Sequence, residues 1–248
     1  MKYPTHKNER ILPGRGEGSV KGLALSQEGL KLIACLSMLA DHIGYLLVPG
    51  IWLRIIGRLA FPIYCFLLAE GTYRTKNPPK YMGRLLLTAC LSELPFDLML
   101  RGGIHWNNQN VMFTLLLGFM ALQLVLRSRF SPVSLCGAAA LALLAEWMGA
   151  DYGMEGVLVV LLFGMTRDLP YKFPVQALGM VAIFAGMGGA TLFTLGNRAV
   201  SIQVLGALAI VPISLYSGQK RTFRPAVRWA FYLFYPIHML ALYLIALM

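Results

Sequence analysis

The chain has 248 residues, 57% of them hydrophobic and 13% charged, with a formal net charge of +11. An ordinary soluble domain carries roughly 25% charged residues, and at a mean hydropathy of +0.63 this chain has more apolar surface than a soluble globule of its size can bury. Soluble enzymes are excluded, and so is disorder, which requires few apolar residues and much charge. The fold class that remains is all-α, a polytopic transmembrane helical bundle. In such a protein Lys and Arg mark the cytoplasmic loops, so the positive charge does not point to nucleic acid.

Residues 1–29 are polar, basic and rich in Gly and Pro. They lack the apolar core and small-residue cleavage site of a signal peptide and are predicted to be a mobile cytoplasmic tail. Residues 30–248 then form a single transmembrane helical domain. A crossing needs about 20 apolar residues. Apolar runs between polar breaks predict spans near 30–48, 52–72, 82–100, 110–127, 132–149, 154–167, 174–195, 200–217 and 228–247. The sixth is short, and a re-entrant or tilted segment is the alternative there. With the N-terminus inside and the C-terminus outside, 18 of the 22 basic residues fall on cytoplasmic segments. Eight spans would reverse everything after the sixth and spoil that bias. The tract Gly186-Met187-Gly188-Gly189, placed inside the seventh span, predicts close helix packing. Cys35, Cys65, Cys90 and Cys136 all fall in apolar runs with neither metal nor disulfide spacing, and are predicted to be buried thiols. No metal ligand set is predicted.

An ionisable side chain within the bilayer is costly and by default a functional candidate. Asp41 and His42 lie toward the outer end of the first span. Arg54 and Arg58 lie one turn apart in the second, Glu93 and Asp97 one turn apart in the third, and Asn110 and Thr114 one turn apart at the start of the fourth. Three acids and two arginines leave the cluster at −1, which favours a histidine gaining a proton and suits a general base. Asp41 and His42 are adjacent on a helix and point about 100° apart. Glu93 or Asp97 is therefore expected to orient His42. The alternative for the charged residues is mutual neutralisation that ties helices together; for His42 it is a satisfied core histidine.

Other polar residues carry weaker signals. Glu70, at the inner end of the second span, either ends the helix or lines an inner entrance. Glu146, Asp151 and Glu155 flank an outer loop and are expected to be solvated. His105, Asn107, Asn108 and Gln109 form a polar outer loop. Tyr235, Pro236 and His238 fall inside the last span, where Pro kinks the helix and His238 is a second candidate for a site histidine, with packing as the other reading.

The stretches LKLIACLSMLADHIGYLL, LRIIGRLAFPIYCFLLAEG and YMGRLLLTACLSELPFDL, then NVMFTLLLG and FYLFYPIH, resemble the TraX family of membrane proteins. The resemblance covers the first four spans well and the last in part. Founding members of that family are implicated in acetylating the N-terminus of conjugative pilin. The family also resembles the multi-span acyltransferases, in which the donor is cytoplasmic acyl-CoA and a membrane histidine is catalytic. Carried over by position, the resemblance implies His42 of DHIG as the catalytic residue, with Asp41, Arg58, Glu93 and Asp97 beside it. Glu70 and Asn110 are matching motif residues, and they join Arg54, Thr114 and His238 as substrate-binding candidates. The longer basic tail departs from the family pattern, and nothing in the chain itself points to pilin.

The function expected is an integral membrane acyltransferase of the cytoplasmic membrane. It would transfer acetyl from cytoplasmic acetyl-CoA to an amine or hydroxyl of an envelope protein, pilin-like, or of a glycan. The anionic donor would be held by Arg74, Lys76, Lys80 and Arg84, or by Lys220, Arg221, Arg224 and Arg228; the competing explanation of these charges is topology alone. Arg58 or a helix dipole would stabilise the oxyanion. An acetyl-histidine route is equally open. The reading from another class is a proton-coupled transporter or flippase, which uses the same intramembrane residue types, although no paired repeats are visible.

Overall fold

The computed structural model describes residues 24–188, 190–195, 198–218 and 225–248. Most of the predicted tail, and Lys220, Arg221 and Arg224, lie outside the described residues. The helices are α1 (Gln27–Leu46), α2 (Ile51–Gly57), α3 (Ala60–Arg74), α4 (Pro78–Arg101), α5 (Val111–Arg127), α6 (Pro132–Trp147), α7 (Gly153–Met165) and α8 (Lys172–Phe184). A hairpin of β1 (Thr191–Leu195) and β2 (Arg198–Ser201) follows, then a 3-10 segment (Ile202–Ala209), α9 (Ile210–Ser214) and α10 (Pro225–Ala246).

The helix starts are written in the sequence. Ser26, Asn77, Asn110 and Ser131 are N-caps whose side-chain oxygens accept a backbone N–H from the first turn. Pro78 and Pro132 stand just after their caps, where the missing N–H costs nothing. Gly102 ends α4 in the left-handed conformation, φ 69°. The Ser26 cap starts α1 earlier than the predicted tail boundary. Leu25 is tied to the far end of the fold, donating to Leu215 O and accepting from Ser217 N.

Three helices are long and apolar enough to cross a membrane: Gln27–Leu46, Ile51–Arg74 (α2 and α3 joined through a tightened turn) and Trp229–Ala246. Shorter apolar helices of 10–17 residues include α5 to α8. Two predicted spans are corrected. The seventh ends at Phe184, and Gly186 and Gly188 face open space rather than a packed helix; Gly189 lies outside the described residues. Thr191, Phe193, Thr194 and Val200 then follow strand preference in an antiparallel hairpin, so the architecture is mostly helical rather than all-α. The eighth predicted span is the 3-10 segment running into α9. The thiols also divide: Cys35 and Cys65 are buried, while Cys90 and Cys136 lie on the exposed outer faces of α4 and α6.

The main core gathers Leu30, Phe61, Ile63, Phe119, Leu122, Phe163 and Phe184 from α1, α3, α5, α7 and α8. A second cluster of Met38, Phe96, Met99, Tyr235 and Met239 locks α10 between α1 and α4. Small residues allow close approach, as in Ala138, Ala142 and Ala145 of α6 against α5 and α7. Outside, α1, α4 and α10 expose Leu36, Leu91 and Leu244, the apolar exterior expected of a protein solvated by lipid.

Candidate functional site

The predicted charged cluster separates into distinct units. Asp41 of α1 accepts from both arginines of the next helix: Arg54 Nη1 lies 3.1 Å away, and Arg58 Nη2 makes the closer contact. Arg58 is only 4% exposed, and it also donates to Gln203 Oε1 at 2.8 Å and, through Nε, to the Arg54 carbonyl at 3.1 Å. Its guanidinium is thus engaged on three sides, and it holds Asp41 instead of facing an open site. Glu93 of α4 is bonded by the backbone and side-chain amides of Asn110, whose Nδ2 also donates to the Ala89 carbonyl at 2.8 Å. Asp97 accepts the His105 backbone N–H at 2.8 Å and stands 3.7 Å from Arg101.

The expectation that Glu93 or Asp97 orients His42 is therefore corrected, because both are committed to the α4–α5 connection. His42 Nδ1 lies instead 2.7 Å from Nε2 of His238 on α10, with the ring planes 4° apart. His238 Nδ1 lies 2.7 Å from the Phe234 carbonyl, and its ring stacks on Phe234 with centroids 4.7 Å apart.

A cavity of about 390 Å³ runs inside the bundle. Gln27, Lys31, Met38, Asp41 and His42 give it one wall, all from α1. Lys31 and His42 are about 11 positions apart, close to three full turns, so both lie on one face about 16 Å apart along the axis. At the Lys31 end are Arg74 and Arg84; the middle is lined by Tyr64, Leu68, Leu85 and Leu115; the His42 end also holds Asp41, Asp151 and Tyr235. Arg84 stacks over Tyr81, and its buried Nε has no hydrogen-bond partner among the described residues. Arg74 is set by Glu70, which accepts from Arg74 Nη2 and from Arg167 Nε, each at 2.8 Å. Lys76, Lys80, Glu70, Glu93, Asp97, Asn110, Arg54, Arg58, Thr114 and His238 do not line the cavity. Several of them support residues that do.

Asp151 is exposed, as the sequence predicts, and it also lines the outer end of the cavity. Thr114 donates to its carbonyl, and its N–H bonds the Gln109 carbonyl at 2.9 Å. The next residue, Tyr152, sits at φ 66°, uncommon for a bulky residue, and stacks on Phe61 with centroids 3.7 Å apart. Although the residue is exposed, it lines the cavity beside Tyr152, and desolvation by the surrounding protein pushes its carboxyl up to about 6.

The family model described as "TraX protein" matches residues 26–246, which span every element described above. The chain belongs to the TraX family. It is 32% identical over 234 residues to "Probable fimbrial assembly protein FimC, serogroup H1" of Dichelobacter nodosus, an alignment covering 84% of this chain and 91% of that protein. It is 26% identical over 174 residues to "Uncharacterized protein RP591" of Rickettsia prowazekii (strain Madrid E), covering 68% of this chain and 66% of that one. No solved structure matches. In this TraX chain the sequence signals missed Lys31, Asp151 and the His42–His238 contact. The three-turn spacing from Lys31 to His42 was a readable signal. Contact between residues 196 positions apart was not.

Proposed function

We propose that this TraX-family protein is a membrane acyltransferase that moves acetyl from acetyl-CoA to an amine or hydroxyl of an envelope protein or glycan, with His42 as base. The observation that supports this best is one cavity with a basic end at Lys31, Arg74 and Arg84 and a histidine at the other. Cationic side chains suit the donor's phosphates, and the apolar and tyrosine-lined middle suits a pantetheine arm. A cavity about 16 Å long also reconciles a cytoplasmic donor with a histidine placed toward the outer face. The printed name of the Dichelobacter relative, a probable fimbrial assembly protein, favours an envelope protein as acceptor.

In the step proposed, His42 removes the proton from the acceptor N–H or O–H. The acceptor atom attacks the thioester carbonyl, the new C–N or C–O bond replaces the C–S bond, and the departing thiolate takes the proton from His42. Asp41, held by Arg54 and Arg58, fixes the wall beside the base. Arg58 is too engaged to serve the oxyanion, so that task passes to a hydroxyl lining the cavity, Tyr64 or Tyr235.

The test is purified protein with radiolabelled acetyl-CoA, wild type beside His42→Ala. Saturable binding by both, and slow CoA release by wild type alone with water standing in for the acceptor, are expected. Label retained on the protein would move the reading to an acetyl-histidine. No binding by folded wild type would overturn the donor, and proton-driven flux in liposomes would then be measured.

A further inference from the structure

We infer that His238 is a positioning residue that fixes the tautomer of His42, leaving the lone pair of His42 on Nε2. The inference rests on the reading of His42 as the base. The direction of each hydrogen bond follows from the one atom in the chain of contacts that has no proton to give. The Phe234 carbonyl can only accept, so His238 Nδ1, 2.7 Å from it, is the donor. A neutral His238 then carries its lone pair on Nε2. His42 Nδ1 lies 2.7 Å from that atom and must donate to it. Neutral His42 is left with an unprotonated Nε2, which has no hydrogen-bond partner among the described residues, on a side chain that lines the cavity.

The second histidine is itself immobilised. It is 6% exposed, stacked on Phe234 and seated on a helix locked between α1 and α4 by Met38, Phe96 and Met239. A carboxylate in this position would fix the same tautomer and also stabilise an imidazolium. A neutral imidazole fixes the tautomer without adding a counter-charge. The carboxylate nearest in sequence, Asp41, is occupied by Arg54 and Arg58. The arrangement therefore separates two tasks: α1 and α2 balance charge at Asp41, and α10 aims the base.

The test reads the tautomer directly. The chain has four histidines, so protein labelled with ¹⁵N-histidine gives few ring signals, and His42→Gln identifies those of His42. Wild type is expected to show a protonated Nδ1 and an unprotonated Nε2 at His42. His238→Gln, whose amide oxygen reaches the position of the histidine Nε2, should keep that pattern and most of the CoA release. His238→Leu should give mixed tautomers and lower the turnover rate by about 10- to 100-fold, the scale of lost orienting contacts, with the KM for acetyl-CoA unchanged. A protonated Nε2 at His42 in the wild type would overturn the inference, as would full turnover by His238→Leu. If His238→Leu does not fold, the wild-type spectrum and His238→Gln decide. If His42→Ala keeps full turnover, the base reading fails, and the spectrum still decides the pairing separately.

Discussion

Gly57 and Asp41 touch with no room between them: a Cβ built on Gly57 would overlap Asp41 Cβ and its carboxyl. The same helix pair closes again at Gly44, where a Cβ would stand 2.6 Å from Leu53 Cβ. Two glycines thus let α1 and α2 approach closely enough for Asp41 to take both arginines. Gly57→Ala should force the helices apart or push Asp41 off Arg58. The expected cost is about 1–3 kcal/mol, typical of an overpacked core, together with loss of the proposed acetyl transfer. Gly83→Ala is the control, because nothing lies within 4 Å of its Cβ position, and it should leave the protein as stable or slightly more so. Thermal unfolding of the purified variants checks both.

The two ends of the cavity predict different responses to substitution. Arg84→Ala removes a cavity-lining cation with an unpartnered Nε, and a charge-assisted hydrogen bond is worth about 1.5–3 kcal/mol. CoA affinity should fall roughly ten- to a hundredfold, with a weaker dependence on salt than the wild type. Lys80→Ala, at a residue off the cavity, should bind CoA as the wild type does. Equal losses for the two variants, read by isothermal titration, would show that general positive charge rather than the cavity holds the donor.

Asn110 separates capping from donating. It is fully buried, caps α5 with Oδ1 accepting from Met112 N at 3.0 Å, and bonds Glu93 and Ala89 through its amide. Asp is as good a cap as Asn, yet it brings a second carboxylate against Glu93 and loses both amide donations. Asn110→Asp should therefore destabilise at least as much as Asn110→Ala, which loses about 0.5–2 kcal/mol from the cap alone. An Asp variant as stable as the wild type would mean that Glu93 does not need the amide.

The local rules of the sequence carried far in this fold. Asn77, Asn110 and Ser131 are residue types that cap helices, and the one-turn spacing of Arg54 and Arg58 put both on one face, where Asp41 takes both. What failed was anything decided by long-range pairing. Glu93 and Asp97 have the same one-turn spacing, and it led to the wrong partner because the α4–α5 connection supplies closer donors in Asn110 and the His105 N–H. The apolar run from 174 to 195 read as one span because hydropathy does not separate a helix from a strand. The glycines after Phe184 and the β-preferring Thr191, Phe193 and Thr194 were the signal that did. His238 was visible as a buried histidine, but only the docking of α10 against α1 gives it His42.

Asp151 predicts a pH effect with a defined sign. Its folded carboxyl sits at about 6, above the ordinary 3.8, because desolvation by the surrounding protein outweighs the favourable pull of Arg58, with Asp41 adding repulsion and the Tyr152 N–H and then Arg54 adding smaller opposing pulls. Between those two values the folded state holds more proton than the unfolded state, so this group's contribution to stability falls as pH rises from 3.8 to about 6 and is flat above. Asp151→Asn removes the titration while keeping a hydrogen-bonding side chain. The Tm of the variant minus that of the wild type should therefore be more positive at pH 7 than at pH 4. Comparing the two proteins at each pH cancels the other carboxylates, which titrate in both. A difference that is constant across the range would mean that the carboxyl meets enough water in the cavity to ionise normally, and a difference that shrinks as pH rises would mean that Arg58 and Arg54 hold it as an anion.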